Sequence, residues 1–231
     1  MNAELLALLN EARAAKRRAC HVRFMATDEQ ALVVDGKVVA GVALSAEEMA
    51  AVDDAHRRDS SGVFESNRGP AFLQVFNPPL RLVIVGAVHI AQALAPMAAL
   101  GGYAVTIVDP RRAFASGERF PGVALVNEWP DEAMAELAPD RRTAVVTLTH
   151  DPKIDDPALD AALRTDCFYI AALGSKRTHA GRVERLKALG HDAATIARIH
   201  GPAGLDIGAV SPAEIAISVL GQMTAVLRRR D

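Results

Sequence analysis

From Leu82 to Val108 the chain carries no Asp, Glu, Lys or Arg. An apolar segment of that length has to leave water, either in a bilayer or inside a globular layer. Its punctuation decides between the two. Gly86, Pro96, Gly101 and Gly102 interrupt it, and His89 and Gln92 lie within it, which suits a buried strand, helix and strand better than a membrane span. Leu82–Val85 is one apolar run, a helical pattern follows to about Leu100, and Ala104–Val108 is a second run closed by Asp109-Pro110. The alternation continues with short apolar runs at Val123–Val126, Thr143–Leu148 and Cys167–Leu173, and with helices expected near 131–137, 157–164 and 176–189. Continuous apolar strands separated by helices predict an α/β fold, a doubly wound parallel sheet covered on both faces. A last helix is signalled by Ser211 as N-cap, Pro212 at the first helical position and Glu214 at the third. Ile215, Val219, Met223 and Val226 form its apolar stripe, and the arginines at 228–230 complement the negative end of its dipole.

Asn77-Pro78-Pro79 cannot continue a helix or a central strand and reads as a linker. It separates a small N-terminal α+β domain, 1–76, from the larger domain, 80–231. In the small domain an amphipathic helix is expected over residues 3–18. Asp35-Gly36 between Ala31–Val34 and Lys37–Ala40 signals a two-residue hairpin. Ser45-Ala46-Glu47-Glu48 is a capping box opening a helix to about Arg57, and Phe72–Phe76 reads as a short strand.

Half of the residues are hydrophobic and 23% are charged, which excludes a disordered chain. Lys and Arg total 26 against 28 Asp and Glu, so no basic excess points to nucleic acid. At 4% aromatics, base-stacking platforms are not expected either. Cys20 and Cys167 are far apart and no Cys-x-x-Cys occurs, so no zinc site on cysteine pairs is expected; counting leaves a lone disulfide open. Glu4 stands where a signal peptide would carry positive charge. The expectation is a cytoplasmic protein without bound metal, nucleic acid or membrane.

In an open parallel sheet, ligands bind beyond the carboxyl ends of the strands. Gly86-Ala87-Val88-His89-Ile90-Ala91 follows the first run, at the place of a dinucleotide fingerprint. Only the first glycine and the final small residue match, and Val88 stands where a second glycine admits a pyrophosphate. Asp109 stands where an acidic residue holds a ribose hydroxyl, with Arg111 and Arg112 beyond it; the plainer reading is a tight turn and a helix cap. Thr149-His150-Asp151 and Asp155-Asp156 follow the third strong run, as acid–base or metal-binding groups or simply as caps and turn residues. Gly174-Ser175-Lys176-Arg177-Thr178-His179 combines a glycine, a hydroxyl, two cations and a helix N-terminus. Cations in a first turn oppose the helix dipole, which points to an anionic ligand. His200-Gly201-Pro202-Ala203-Gly204-Leu205-Asp206-Ile207-Gly208 is a shaped loop before the last helix, where Asp206 meets either backbone or a ligand. Four of the seven histidines, His89, His150, His179 and His200, fall at these strand ends and loops.

Three of these segments together resemble the XdhC/CoxI family of xanthine dehydrogenase accessory proteins. They are Thr149-His150-Asp151-Pro152-Lys153-Ile154-Asp155-Asp156-Pro157-Ala158-Leu159, Tyr169-Ile170-Ala171-Ala172-Leu173-Gly174-Ser175-Lys176-Arg177-Thr178-His179, and Ile199-His200-Gly201-Pro202-Ala203-Gly204-Leu205-Asp206-Ile207-Gly208-Ala209 with Ser211-Pro212-Ala213-Glu214-Ile215-Ala216. The match covers about residues 70–231. The resemblance implies a Rossmann-like domain, a homodimer, and a role in maturing molybdenum hydroxylases. In that role the protein binds molybdenum cofactor (molybdopterin), protects it during sulfuration and passes it to the apoenzyme, with a cysteine desulfurase as a further partner. Two family features differ most here, with Ala172 and Gly201 as smaller departures. No Gly-Gly-Cys segment occurs in the N-terminal part, and the first-strand turn reads Gly-Ala-Val-His where the family reads Gly-Ala-Gly-His.

The resemblance therefore implies a cofactor carrier, with the pterin phosphate at Ser175, Lys176 and Arg177 and with His150, His179 and His200 around the ligand. An alternative from the residues alone is an NAD(P)-dependent oxidoreductase, or another nucleotide-binding protein, built on Gly86, His89 and Asp109. A third is a scaffold that only binds the apoenzyme. Asp151, Gly174 and Asp206 complete the candidate site.

Overall fold

The computed structural model describes residues 3–228 and divides into two compact units, Met1–Pro78 and Pro79–Asp231. Arg229 and Arg230 lie outside the described residues.

The first unit is built from α1 (Ala3–Ala14), β1 (Ala19–Phe24), β2 (Gln30–Val34), β3 (Lys37–Gly41), α2 (Ala46–Arg58), β4 (Gly62–Ser66) and β5 (Gly69–Phe76). Its sheet is antiparallel in the order β3-β2-β1-β5-β4. Asp35 and Gly36, at φ +48° and +77°, make the hairpin turn expected of them. Alternate side chains bury against the two helices in turn. Cys20, Val22, Phe24, Ala31 and Val33 share a cluster with Val52 of α2, whereas Ala19, Leu32 and Val34 share one with Leu5 and Leu9 of α1. The Ser45–Glu48 capping box forms, and Arg68 adds two hydrogen bonds to the buried Glu48 carboxylate. Helix α1 ends at Ala14 rather than near residue 18, because Lys16 turns left-handed at φ +53°. Neither β1 nor β4 has a clear signature in the sequence. His21 and Arg23 obscure the apolar character of β1, although five of its six residues are buried.

The second unit continues with β6 (Leu80–Val85), α3 (His89–Leu100), β7 (Tyr103–Val108), β8 (Ala124–Val126), α4 (Pro130–Leu137), β9 (Thr143–Thr147), α5 (Pro152–Leu163), β10 (Tyr169–Ala172), α6 (Lys176–Ala188), α7 (Ala193–Ile196), β11 (Ile199–His200) and α8 (Pro212–Arg228). All six strands run parallel, in the order β8-β7-β6-β9-β10-β11. Numbered by their succession in this unit, that is 3-2-1-4-5-6, the Rossmann arrangement, with its switch point between β6 and β9.

Every residue of β9 and β10 is buried, because helices cover both faces. Leu82, Ile84, Val146 and Ala171 pack against α3 and α8 on one face; Val83, Val85, Val145 and Ile170 pack against α4, α5 and α6 on the other. Each large aliphatic side chain buried this way contributes about 1.5–3 kcal/mol. Helix α3 brings small residues, Ala91, Ala95 and Ala98, to the cluster it shares with Ala216, Val219 and Met223 of α8. Pro96 does not end α3, and Pro157 does not begin α5, which starts five residues earlier at Pro152 under an Asp151 cap. Among the described residues no helix is long and apolar enough to cross a membrane.

Candidate functional site

Parallel strands deliver the turns after β6, β7, β9, β10 and β11 to one edge of the sheet. The turn after β6 is closed in on itself. Gly86 has φ +110°, and a Cβ there would lie 2.5 Å from Thr149 Cγ2, so only glycine fits beside the β9 turn. The Ala87 N–H, which in a dinucleotide site would face a pyrophosphate, donates to Asp109 at 2.8 Å. Arg111 donates to the same carboxylate from its backbone N–H, Nε and Nη2 at 2.8–2.9 Å. Asp109 is fully buried; burial pushes its pKa up, but the Arg111 and Ala87 donors outweigh this and hold it below the usual carboxylate range. Its acceptor sites are thus spent on the protein, and Asp109 does not present itself to a ribose. His89 is exposed at the first position of α3.

The turn after β9 is organised by Asp155. This buried carboxylate accepts from Thr149 Oγ1 at 2.6 Å, from the Thr149 N–H at 3.3 Å and from the His150 N–H at 3.1 Å. His150 is left-handed at φ +66°, and its ring is exposed. Asp151 caps α5 by accepting from the Lys153 N–H at 2.9 Å. Burial pushes the pKa of Asp155 up against the pull of Thr149 and the charge of Arg182.

After β10, Gly174 lies at φ +140° and Ser175 caps α6, accepting from the Thr178 N–H at 3.1 Å. Lys176 and Arg177 are exposed in the first turn. One face of α6, formed by Arg177, Thr178, Gly181, Arg182 and Arg185, lines a cleft of about 250 Å³ whose other wall is His150, Pro152 and Asp155. Arg185 pairs with Asp156 of α5. Arg182 is only 1% exposed; its Nη2 donates to the Leu173 carbonyl at 3.0 Å and lies 3.6 Å from Asp155 Oδ2. Burial lowers the pKa of this guanidinium, opposed by the two nearby aspartates. His179 lies on the backbone after β11: a Cβ on Gly201 would sit 2.2 Å from its Nδ1. Burial, then the charge of Arg182, lowers the His179 pKa.

His200 stacks on Tyr169, with centroids 4.9 Å apart. Tyr169 Oη donates to Gln222 Oε1 at 2.6 Å, and Gln222 also bridges the Gly204 N–H and carbonyl at 3.0 Å each, tying the loop to α8. Asp206 is exposed on that loop. The structure therefore brings His150 and Arg177 together in one cleft. It leaves Gly86, His89, Asp151, Gly174, Ser175, Lys176, His179, His200 and Asp206 off the lining of that cleft and commits Asp109 to Arg111. Arg182, Arg185, Gln222 and Thr147 were not singled out by the sequence. The available signal for Arg182 is its place four residues before Leu186, on the buried line of α6.

Both cysteines are free and buried. Burial pushes the Cys20 thiol up to about 12, and that of Cys167 upward too, so both are held as thiols. Among the described residues no group of three or more His, Cys, Asp or Glu is placed to hold a metal ion.

The second unit is thus a Rossmann α/β domain, a fold class that binds ligands at the carboxyl edge of its sheet. The model of the XdhC Rossmann domain family matches residues 82–223, and the chain belongs to that family. It is 34% identical over 151 residues to the molybdenum cofactor insertion chaperone PaoD of Escherichia coli K12, covering 65% of this chain and 41% of that protein. It is 31% identical over 159 residues to a Bacillus subtilis 168 protein described as a probable xanthine dehydrogenase subunit, covering 68% of this chain and 46% of that protein. The chain thus spans less than half the length of these relatives. A crystal structure described as a xanthine dehydrogenase from Bacillus halodurans superposes with a TM-score of 0.74 at 25% identity, over 97% of this chain and 67% of that one.

Proposed function

We propose that this protein is a maturation factor for a molybdenum hydroxylase of the xanthine dehydrogenase type, carrying molybdenum cofactor and handing it to the apoenzyme. The observation that carries the reading is the cationic cleft at the carboxyl edge of the unit that the family model covers. The relative named as a molybdenum cofactor insertion chaperone supports it. Ser175, Lys176 and Arg177, at the N-terminus of α6, would hold the pterin phosphate through a capping hydroxyl and two cations. His150, His179 and His200 would shield the rest of the ligand. The residues present fit an anionic ligand, since Arg177 stands on the cleft wall without an acidic partner among the described residues and Arg182 adds a buried guanidinium beside it. The cofactor, when bound, supplies the metal and its sulfur chemistry. This chain's own buried thiols are poor sulfur carriers, so any support of sulfuration is by shielding, with a cysteine desulfurase as partner. A homodimer and a cytoplasmic setting belong to the same proposal.

The NAD(P)-dependent alternative draws no support from the turn after β6, where Asp109 holds the Ala87 N–H. The test uses protein purified without oxygen from a host that makes the cofactor, oxidised and assayed for fluorescent pterin. Stoichiometric pterin that is lost in the Lys176→Ala/Arg177→Ala double variant is the expected result. Absence of pterin from the wild type overturns the carrier reading.

A further inference from the structure

We propose that the cleft between α5 and α6 is a binding site for a phosphate monoester, with the buried guanidinium of Arg182 as its anchor. Unmet hydrogen bonds mark the place. Within the second unit, the buried side-chain N and O atoms without a partner among the described residues are Thr147 Oγ1, His179 Nδ1, and Nε and Nη1 of Arg182. Thr147 is the last residue of β9, Arg182 reaches the carbonyl that follows β10, and His179 lies on Gly201 just after β11. All four atoms therefore belong to residues near the carboxyl ends of three adjacent strands, and of these residues Arg182 lines the cleft. Buried donors without acceptors are rare and cost about 1–3 kcal/mol each, more when charged.

A purely structural role for Arg182 would close its hydrogen bonds within the fold. Asp109 and Arg111 show what this protein builds for that purpose, a carboxylate with donors at 2.8–2.9 Å on both oxygens. Arg182 instead has one carbonyl at 3.0 Å and a carboxylate at 3.6 Å, and Asp155 gives its closer contacts to Thr149 and His150. The charges of the cleft leave a surplus. Asp155 offsets Arg182 and Asp156 offsets Arg185, while Arg177 at the cleft wall has no acidic partner among the described residues. A fork of guanidinium donors with a second arginine nearby suits a tetrahedral oxyanion.

Gly181 supplies an independent observation. It lies inside α6 on the face that lines the cleft, where glycine costs about 1 kcal/mol relative to alanine. Packing does not require it: a Cβ there would meet only Arg185 Nη1, at an ordinary 3.5 Å. Its missing side chain keeps the cleft open. The cleft volume of about 250 Å³ leaves space beside a phosphate for part of the group it esterifies. The phosphate site does not depend on that group being a pterin.

The test is titration calorimetry of the whole chain with phenyl phosphate, inorganic phosphate and acetate, at constant ionic strength set with chloride. Saturable binding of both phosphates, acetate at least tenfold weaker, and a further loss of tenfold or more in Arg182→Lys are expected. Arg182→Lys keeps the charge opposite Asp155 but loses the planar fork. Should it fail to fold, Arg177→Ala and Gly181→Leu on the exposed wall carry the same expectation. Absence of phosphate binding, equal binding of acetate, or unchanged affinity in the variants that fold overturns the site. Pterin retained by a protein that binds neither phosphate also overturns it while leaving the carrier reading intact; phosphate binding without pterin does the reverse.

Discussion

Replacing Gly181 by alanine probes α6 at a point where the energetic contributions are few. Gly181 is the sixth residue of a thirteen-residue helix and lies in its interior. Alanine gains the propensity difference of about 0.8–1 kcal/mol, most of it from the lower entropy of the unfolded chain. Against this stands the new Cβ, whose nearest neighbour is the end of a flexible arginine at 3.5 Å, so steric strain is close to zero. The residue is exposed, so little is gained or lost by burial. The net is a stabilisation of about 0.5–1 kcal/mol, which for a domain of this size corresponds to a rise in Tm of roughly 1–4 °C. Urea denaturation followed by circular dichroism should show a higher midpoint at an unchanged slope. A lower midpoint would mean that the glycine is required by the backbone or by packing, and its role as a spacer would be refuted.

Other positions carry equally definite expectations. Gly201→Ala drives a Cβ to 2.2 Å from the His179 ring and should cost about 1–3 kcal/mol; His179→Ala should relieve most of that cost, a coupling readable in a double-mutant cycle. Asp109→Asn breaks a buried ion pair and its tie to the Ala87 turn, and should lower stability by about 2–3 kcal/mol in denaturant melts. The native pKa of His179 lies below its ordinary value of 6.5, so the unfolded chain binds more protons just under that pH. Stability should fall as pH drops below about 6.5, and His179→Gln should flatten that slope in melts between pH 5 and 7. Glu48→Ala removes a helix cap and leaves Arg68 without its carboxylate, at a cost of about 2 kcal/mol seen as a lower Tm.

Five of the six parallel strands were legible because they are short runs free of charge apart from Arg81 in β6, and caps such as Ser211 with Glu214 mark helix starts; β11, only Ile199–His200, was too short to stand out from its loop. Strands β1 and β4 were not, since a central strand containing His21 and Arg23, and a largely uncovered strand of mixed composition, both lack a clean period. The start of α5 was hidden behind Pro157, which reads as a first-turn proline until Asp151 is recognised as the cap. Ligand-side loops could be named because every parallel strand ends at one edge. The state of each residue there could not. Asp109 looks the same in a sequence whether it faces a ribose or Arg111, and Arg182 looks like any helical arginine until α5 closes over it.

Helix α8 comes last in the unit, yet Ala216, Val219 and Met223 bury the first helix, α3, and Gln222 fastens the loop after β11. During synthesis the apolar face of α3 and the first strand therefore stays uncovered until residues 212–228 have left the ribosome. The loop after β11 gains its tie to Gln222 only then. A nascent chain stalled before α8 would expose that aggregation-prone face and leave the loop after β11 without its Gln222 tie, although the cleft residues 150–185 would already have emerged.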